Sequence, residues 1–252
     1  MLADTGYLAL LLDAPLQSWG FASRFQRRTT GLHPTKSGVI GLICAAMGLA
    51  KGSQQESEIL RGLASLKMTS IVIPRRQQSS WKAAAKELPV RRMEDFHTVG
   101  GGYVKETQRQ FIPRKASGGP CDNPTVTRRQ YLLDARFGVI LTGNRLLLQR
   151  MATALADPVW GVWFGRKSCI PAEPICRGLF ASAAEAEKTL IGDAPLESFT
   201  TVTEADSFTE GTDSLNDQPV SFGDGTSSGP DKRQFAVRRI RVQPGTGLSA
   251  KE

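Results

Sequence analysis

The order of apolar patterns in the first 73 residues favours a fold in which a sheet is covered by helices. Residues 7–13 form a short, nearly continuous apolar run closed by Ala14 and Pro15, which is typical of a buried strand. An apolar helical pattern then begins after Thr35, a residue type that caps helix N-termini. A second helical pattern over residues 56–66 and an apolar run over residues 68–73 complete a predicted strand–helix–strand unit.

Small residues recur along the first predicted helix. Gly38, Gly41, Ala45 and Gly48 are three or four positions apart, so a helix places them on one face. Glycine lowers helix propensity. We therefore expect this face to allow a close approach of the helix backbone to a sheet or to a bound ligand.

The apolar periodicity fails from residue 74 to about residue 128, where the composition is basic and rich in glycine and proline. A segment of this length is usually functional or disordered, and we interpret it as a hairpin arm that orders on a partner. Later patterns predict a strand over residues 131–141, a helix over 145–156 and a strand over 159–164. The acidic stretch 197–231 is interpreted as a surface loop or flexible excursion before a final strand over 235–242.

This order of elements predicts an α+β fold. Strand, helix, strand, arm, strand, helix, strand is the βαββαβ plan of ferredoxin-like domains, which RNA-recognition (RRM) domains share. We predict a first part of such a domain at residues 6–73 and a long basic thumb or arm insertion at 74–128. The remainder, with a small C-terminal β-rich extension that includes the acidic stretch, is expected at 129–245.

Charge is strongly segregated along the chain. The formal net charge is +8, but residues 181–231 carry eleven acids against Lys188 alone, which leaves +18 on the rest. Residues 21–36 contain four cations and no acid, and residues 74–131 contain twelve cations against five acids. Several basic runs on one chain favour a polyanion partner, because Lys and Arg bind phosphates independently of base sequence. Nucleic acid is the partner that this pattern predicts.

Other features exclude several classes of protein. The longest apolar stretch, residues 39–50, is too short to span a bilayer, and no signal-peptide pattern begins the chain. Four cysteines form no Cys-x-x-Cys pair, and only His33 and His97 are available as further ligands, so we expect no metal and no cofactor. Free thiols fit a reducing compartment, and we predict a cytoplasmic protein.

Two basic motifs are candidates for phosphate contacts. Lys36 and Ser37 stand at a predicted helix start, where free N–H groups favour an anion, although the full phosphate-loop pattern is absent. An ordinary capped helix with a solvated lysine is the alternative. Arg166, Lys167 and Ser168 follow an aromatic run, which suits stacked bases beside bound phosphates. The alternative is that those tryptophans belong to the core.

His97 lies in a glycine-rich segment near Tyr103 and Lys105. Such a group can in principle cleave RNA without a metal, with a base activating the 2′-hydroxyl and an acid protonating the leaving oxygen. A structural or RNA-contacting histidine is the other interpretation, and one histidine does not decide between them.

Seven segments, in order, resemble the CasD family, the CRISPR-associated family-five subunits of the type I-E Cascade complex in the RAMP superfamily. The segments are residues 12–20 (LDAPLQSWG), 24–31 (RFQRRTTG), 34–42 (PTKSGVIGL), 95–99 (DFHTV), 129–132 (RQYL), 164–169 (FGRKSC) and 233–236 (RQFA). The resemblance implies a non-catalytic subunit that grips the 5′ repeat-derived handle of the CRISPR RNA (crRNA) and caps the Cascade backbone.

The resemblance also implies partners and contact residues. The expected partners are crRNA, the Cascade backbone subunits, the large subunit and, in the assembled complex, target DNA, in a ribonucleoprotein that serves antiviral defence. A metal-independent endoribonuclease that processes repeat RNA, as relatives in type I-C systems do, is the alternative. The expected RNA contacts are Gln17, Arg24, Arg27, Arg28, Lys36, Ser37, His97, Arg129, Tyr131, Arg166, Lys167 and Ser168, with Arg109, Arg114 and Lys115 of the arm as looser candidates.

Overall fold

The computed structural model describes residues 4–20, 22, 26–78, 85–100, 102, 105–112, 114, 118–121, 123–223 and 233–247. The strands in these ranges are β1 (Thr5–Asp13), β2 (Leu16–Gln17), β3 (Arg27–Arg28), β4 (Lys67–Val72), β5 (Arg75–Gln77), β6 (Lys86–Leu88), β7 (Arg91–Val99), β8 (Thr125–Leu133), β9 (Arg136–Asn144), β10 (Cys176–Phe180), β11 (Thr200–Glu204), β12 (Asp213–Ser221) and β13 (Gln234–Gln243). The helices are α1 (Lys36–Ala46), α2 (Gln54–Ser65), α3 (Lys105–Gln108), α4 (Arg145–Ala156) and α5 (Ala183–Ile191), with 3₁₀ turns at Arg109–Phe111 and Leu196–Ser198.

A seven-stranded antiparallel sheet organises the mixed α/β fold. Its strand order is β10-β1-β9-β4-β11-β13-β12. The strands β10, β1, β9 and β4 are neighbours in this sheet. Along the chain, α1 and α2 lie between β1 and β4, and α4 lies between β9 and β10. Within the described part of the chain, no helix is long and apolar enough to cross a membrane.

β1 is buried on both faces, which explains its continuous apolar run. Leu8, Leu10 and Leu12 belong to the larger core cluster, which also contains residues of α1, α2 and α4. Ala9 and Leu11 point to the opposite face, where they pack with residues of α5. Because side chains alternate along a strand, a strand covered by helices on both faces needs apolar residues at consecutive positions.

Local signals predicted several elements. α1 begins after Thr35, whose side chain accepts from the Gly38 N–H, and α4 begins after Asn144, which accepts from the Leu147 N–H. The structure confirms the predicted helices over residues 56–66 and 145–156 and the strands over 7–13, 68–73 and 235–242 within a few residues at each end.

Two predicted strands were wrong. Residues 131–141 do not form one strand, because β8 ends at Leu133 and Asp134 turns the chain with φ 50°, a conformation that Asp tolerates. Residues 159–164 lie in a loop, held to the end of α1 by a hydrogen bond from the Val159 N–H to the Ala46 oxygen. The strand after α4 is β10, which is half-buried throughout and has no strong apolar signal.

The acidic stretch is also more ordered than expected. Residues 197–231 contain β11 and β12, although residues 224–231 lie outside the described ranges. Two of its carboxylates form buried or partly buried ion pairs, Glu204 with Lys36 and Asp217 with Arg238. Acidic composition predicted a flexible loop because it does not reveal which carboxylates have cationic partners.

The arm, interpreted from the sequence as a hairpin that orders on a partner, contains a regular ladder. β7 pairs with β8 over nine residues, and β8 also pairs with β2 and β3 to form a second, four-stranded sheet. A short β5–β6 hairpin lies between β4 and β7. The ladder explains how a basic segment with little apolar periodicity keeps a defined shape, since its backbone groups are satisfied within the sheet.

A buried network of charges joins α1 to the last three strands of the large sheet. Asp217 of β12 accepts from the Lys36 N–H at 2.8 Å and from Arg238 Nε and Nη2 at 2.9 and 2.8 Å. Glu204 Oε1 lies 3.0 Å from Lys36 Nζ and accepts from the Met68 N–H at 3.0 Å. Side chains on β11, β12 and β13 are thereby tied to the first residue of the helix.

We expect Asp217→Ala to lower the free energy of unfolding by about 3–5 kcal/mol, because it leaves the Arg238 guanidinium buried without its main partner. Urea denaturation measures this loss. Asp206→Ala is the matched control, since its ion pair with Lys67 is exposed and contributes little. Equal midpoints for the two variants would contradict a structural role for the network.

Candidate nucleic-acid interface

A groove with a volume of about 700 Å³ follows the small-residue face of α1. Its floor includes Ser37, Gly41 and Ala45. One wall is the loop of residues 160–166, and the other is formed by side chains near β12 and β13, among them Asn216 and Arg233. We call this feature the α1 groove.

Two glycines on the small-residue face of α1 have different roles. A Cβ atom at Gly38 would lie 2.9 Å from the Trp19 ring, so this glycine allows the indole to pack on the helix. A Cβ atom at Gly41 would meet only Phe222, at 3.7 Å, which is ordinary contact. Gly41 is therefore not required by the packing of the described residues, and its missing side chain leaves the helix backbone open to the groove.

Cations and aromatic rings share the rim of the α1 groove. Arg28, Lys51 and Arg233 are exposed lining residues, and Arg166 is a half-buried one. Trp160 lines the groove with 45% of its surface exposed. Guanidinium and ammonium groups bind phosphates, while exposed rings stack on bases. The arrangement suits a single-stranded nucleic acid.

Arg166 connects this loop to the arm. Its Nη1 and Nη2 donate to the backbone oxygens of Gln130 and Arg28 at 2.8 and 2.9 Å, and its guanidinium lies 4.5 Å from the centre of the Tyr131 ring. Gly165, with φ 94°, is required here because a Cβ would clash with the backbone oxygen of Ser18. Arg166 thus positions the strand that carries Arg28.

The register of the small sheet sorts the arm residues onto two faces. Arg129 of β8 is paired with Arg28 of β3 on one side and with Asp95 of β7 on the other, so these three residues lie on one face of the sheet. His97 lies two residues after Asp95 on β7 and therefore shares this face. The opposite face carries Arg27, Arg128 and Phe96, and the Arg128 guanidinium lies 5.2 Å from the centre of the Phe96 ring. The face with Arg28 is the one continuous with the groove.

Two predicted contact residues are buried and satisfied inside the protein. Gln17 Nε2 donates to the oxygens of Leu12 and Ala135, and its Oε1 accepts from the Trp19 indole. Lys36 is 2% exposed and paired with Glu204. Burial lowers the pKa of the Lys36 ammonium, while the charge of Glu204 opposes that shift.

These positions correct the sequence-based assignment. The anion at the start of α1 is Asp217, a carboxylate of this chain, so the expected phosphate contact of Lys36 is replaced by an internal network. Gln17 supports Trp19 beneath the groove and does not reach solvent. Ser37 alone of that helix-start pair lines the groove.

The remaining predicted residues fall into three groups. Exposed residues available for contact are Arg27, Arg28, His97, Arg109, Arg114, Lys167 and Ser168, and Arg129 is half-buried. Tyr131 is buried beneath Arg166. Arg24, Tyr103 and Lys115, together with the side chain of Lys105, lie outside the described residues, so no geometry is assigned to the catalytic alternative beyond an exposed His97 on β7.

Three charged groove residues, Lys51, Glu56 and Arg233, had not been selected from the sequence as contacts. Arg233 belongs to a segment that carried the family resemblance, which is the signal that marked it. Lys51 and Glu56 follow α1 in a short connection and in the first turn of α2. No local pattern marks them, because only the packing of α2 beside α1 brings them to the groove.

The chain is similar to known CRISPR-associated proteins. A family model described as CRISPR-associated protein (Cas_Cas5) matches residues 7–241. The chain is similar to the CRISPR system Cascade subunit CasD of Escherichia coli strain K12, with 27% identity over 196 residues, 75% of this chain and 78% of that protein.

Two solved structures are also similar to the chain. A chain of a CRISPR RNA-guided surveillance complex is 30% identical, with a TM-score of 0.69, and the match covers 95% of this chain and 90% of that one. A structure described as a crystal structure of a Cas protein is 29% identical, with a TM-score of 0.59, and covers 97% and 98%. The mixed α/β fold is shared with both.

We expect Arg166→Ala to lower the free energy of unfolding by about 1.5–3 kcal/mol, because two backbone oxygens lose charge-assisted hydrogen bonds. Lys167→Ala, one residue away and exposed, is the matched control and is expected to stay within about 0.5 kcal/mol of the parent. Urea denaturation of both variants tests this, and similar losses would show that Arg166 is not a positioning residue.

Proposed function

The chain belongs to the Cas5 family of CRISPR-associated proteins, and we propose that it is a non-catalytic RNA-binding subunit of a type I-E-like Cascade surveillance complex. In this proposal the α1 groove and the adjoining face of the arm hold the 5′ repeat-derived handle of the crRNA. Guide pairing reads the target sequence, whereas the protein holds the RNA by shape and backbone charge.

The observation that carries this proposal is the convergence of Arg28, Lys51 and Arg233 on one groove beside the exposed Trp160. Each of the three cations is exposed, and none has a side-chain partner among the described hydrogen bonds and ion pairs. Phosphate binding therefore breaks no hydrogen bond or ion pair between these side chains and the residues that the structure describes. The same cannot be said of Arg166 or Lys36, whose charged groups are engaged in the fold.

We also infer that the four adjacent strands β10-β1-β9-β4 form a ferredoxin-like unit, in which α1 and α2 connect β1 to β4 and α4 connects β9 to β10. The arm inserts between β4 and β9 of this unit, and β11, β12 and β13 extend its sheet. The inserted segment runs from residue 73 to residue 135, which supports an arm at 74–128 but extends it to the end of β8, so the proposed remainder begins with β9. Shared strand order is an argument about fold, and the groove carries the argument about function.

The proposed partners are crRNA, the Cascade backbone and large subunits, and target DNA within the complex, in the cytoplasm. The similarity of this chain to the Cascade subunit CasD of Escherichia coli supports its assembly into such a complex. The proposal is that this chain contributes no cleavage step. His97, the central residue of the endoribonuclease alternative, is exposed on a strand of the arm, a position that suits RNA contact.

We expect Arg28→Glu and Arg233→Glu each to weaken binding of handle RNA about 10- to 100-fold, as loss of a charge-assisted contact to phosphate predicts. Each should also reduce the slope of log affinity against log salt by about 0.7. Lys188→Glu is the control, because Lys188 is exposed on α5 at the opposite face of the sheet. Equal weakening by all three would indicate a non-specific charge effect and contradict the proposed site.

We expect labelled repeat RNA to remain intact during incubation with the protein in EDTA, while retained complex is scored in the same samples. A discrete cut that disappears in His97→Ala would instead establish the processing endoribonuclease. The His97→Ala variant distinguishes RNA binding from RNA cleavage. If His97 only contacts the RNA, the substitution changes the amount of retained complex and no cleaved product is formed by either protein.

A further inference from the structure

The far end of the α1 groove contains a buried carboxylate. Beyond Ala45 the groove is lined by Lys51, Glu56 and Trp160. Glu56 lies in the first turn of α2 and is only 2% exposed, whereas Lys51 and Trp160 are exposed. A buried acid and an exposed indole therefore line the same groove, whose other charged lining residues are cationic.

Helix capping accounts for only one oxygen of Glu56. The Ser53 hydroxyl caps α2 by accepting from the Glu56 N–H at 3.1 Å, and Glu56 Oε2 accepts from the Gly52 N–H at 2.8 Å. This is a variant of the capping box, in which an acid at the third helical position reaches back to the backbone before the helix. Glu56 Oε1 is buried, and no described residue donates to it.

The Cys44 thiol lies close to this carboxylate. Burial raises the pKa of the neighbouring Cys44 thiol to about 12, and the charge of Glu56 contributes to that shift. A buried acceptor without a donor costs free energy that a ligand carrying a suitable donor recovers. The ligand proposed for this groove is RNA, whose bases carry such donors.

We propose that RNA binding shifts the end of the groove enough to uncover Glu56 Oε1, which then accepts a hydrogen bond from the exocyclic amino group of a nucleobase that stacks on Trp160. The inference rests on the proposed RNA-binding function and adds base selectivity to it. Carboxylates pair with the N4 amino group of cytosine, whereas the O4 carbonyl of uracil presents an acceptor to an acceptor. Glu56 is then a specificity-determining residue at the end of the groove.

The test compares Glu56→Gln with the parent protein on oligocytidylate and oligouridylate of equal length. The glutamine oxygen still accepts from the Gly52 N–H, while its amino group replaces Oε1 and becomes a donor. We expect the parent to bind oligocytidylate about tenfold more tightly than oligouridylate. Glu56→Gln is expected to abolish or reverse this preference. Glu58→Gln, on the exposed side of the same helix, is the matched control and should keep it.

A second measurement needs no variant. Oligocytidylate dimethylated at N4 lacks the donor, so the parent should bind it no better than oligouridylate. Equal affinity of the parent for all three RNAs would overturn the inference and leave the proposed function intact. A cytosine preference that persists in a folded Glu56→Gln protein would also overturn it, whereas failure to bind any RNA would overturn the proposed function and this inference together.

Discussion

The α1 groove depends on a carboxylate from β12 that binds the start of α1. Asp217 satisfies the Lys36 N–H and lies where the helix dipole favours negative charge. Asp217 lies in an irregular part of the β12–β13 ladder, and its exposed neighbour Asn216 lines the groove. This single buried interaction thus holds β12 against the start of α1, beside the groove.

The same interaction decides how the groove is able to hold an anion. The helix N-terminus already has its counter-charge, so in the proposed RNA complex we expect phosphates along the side of α1 and at the rim of the groove. The rim cations come from separate parts of the chain, with Arg28 on β3, Lys51 between the helices and Arg233 before β13. Binding at the rim requires all of these segments in their folded positions, and Arg166 supplies the link to β3.

Elements with local signals could be predicted from the sequence, whereas elements defined by pairing could not. Thr35 and Asn144 marked helix starts because a cap acts within one turn. β10 was missed because its half-buried residues have no clear period, and its position is fixed only by pairing with β1. Strand pairing depends on residues far apart in the chain, which a local pattern does not contain.

In the candidate site, too, the sequence reveals local features but not those that depend on tertiary contacts, here the partners of individual charged side chains. Sequence identified the basic segments correctly, but it does not distinguish a cation that supports the groove from one that faces it. Lys36 forms an ion pair with Glu204, and Arg166 donates hydrogen bonds to backbone oxygens. The side chains of Arg28 and Arg233 remain exposed. We therefore expect fewer phosphate contacts than there are basic residues in the motifs. Salt dependence reports that smaller number, since only cations that displace counterions from RNA contribute to it.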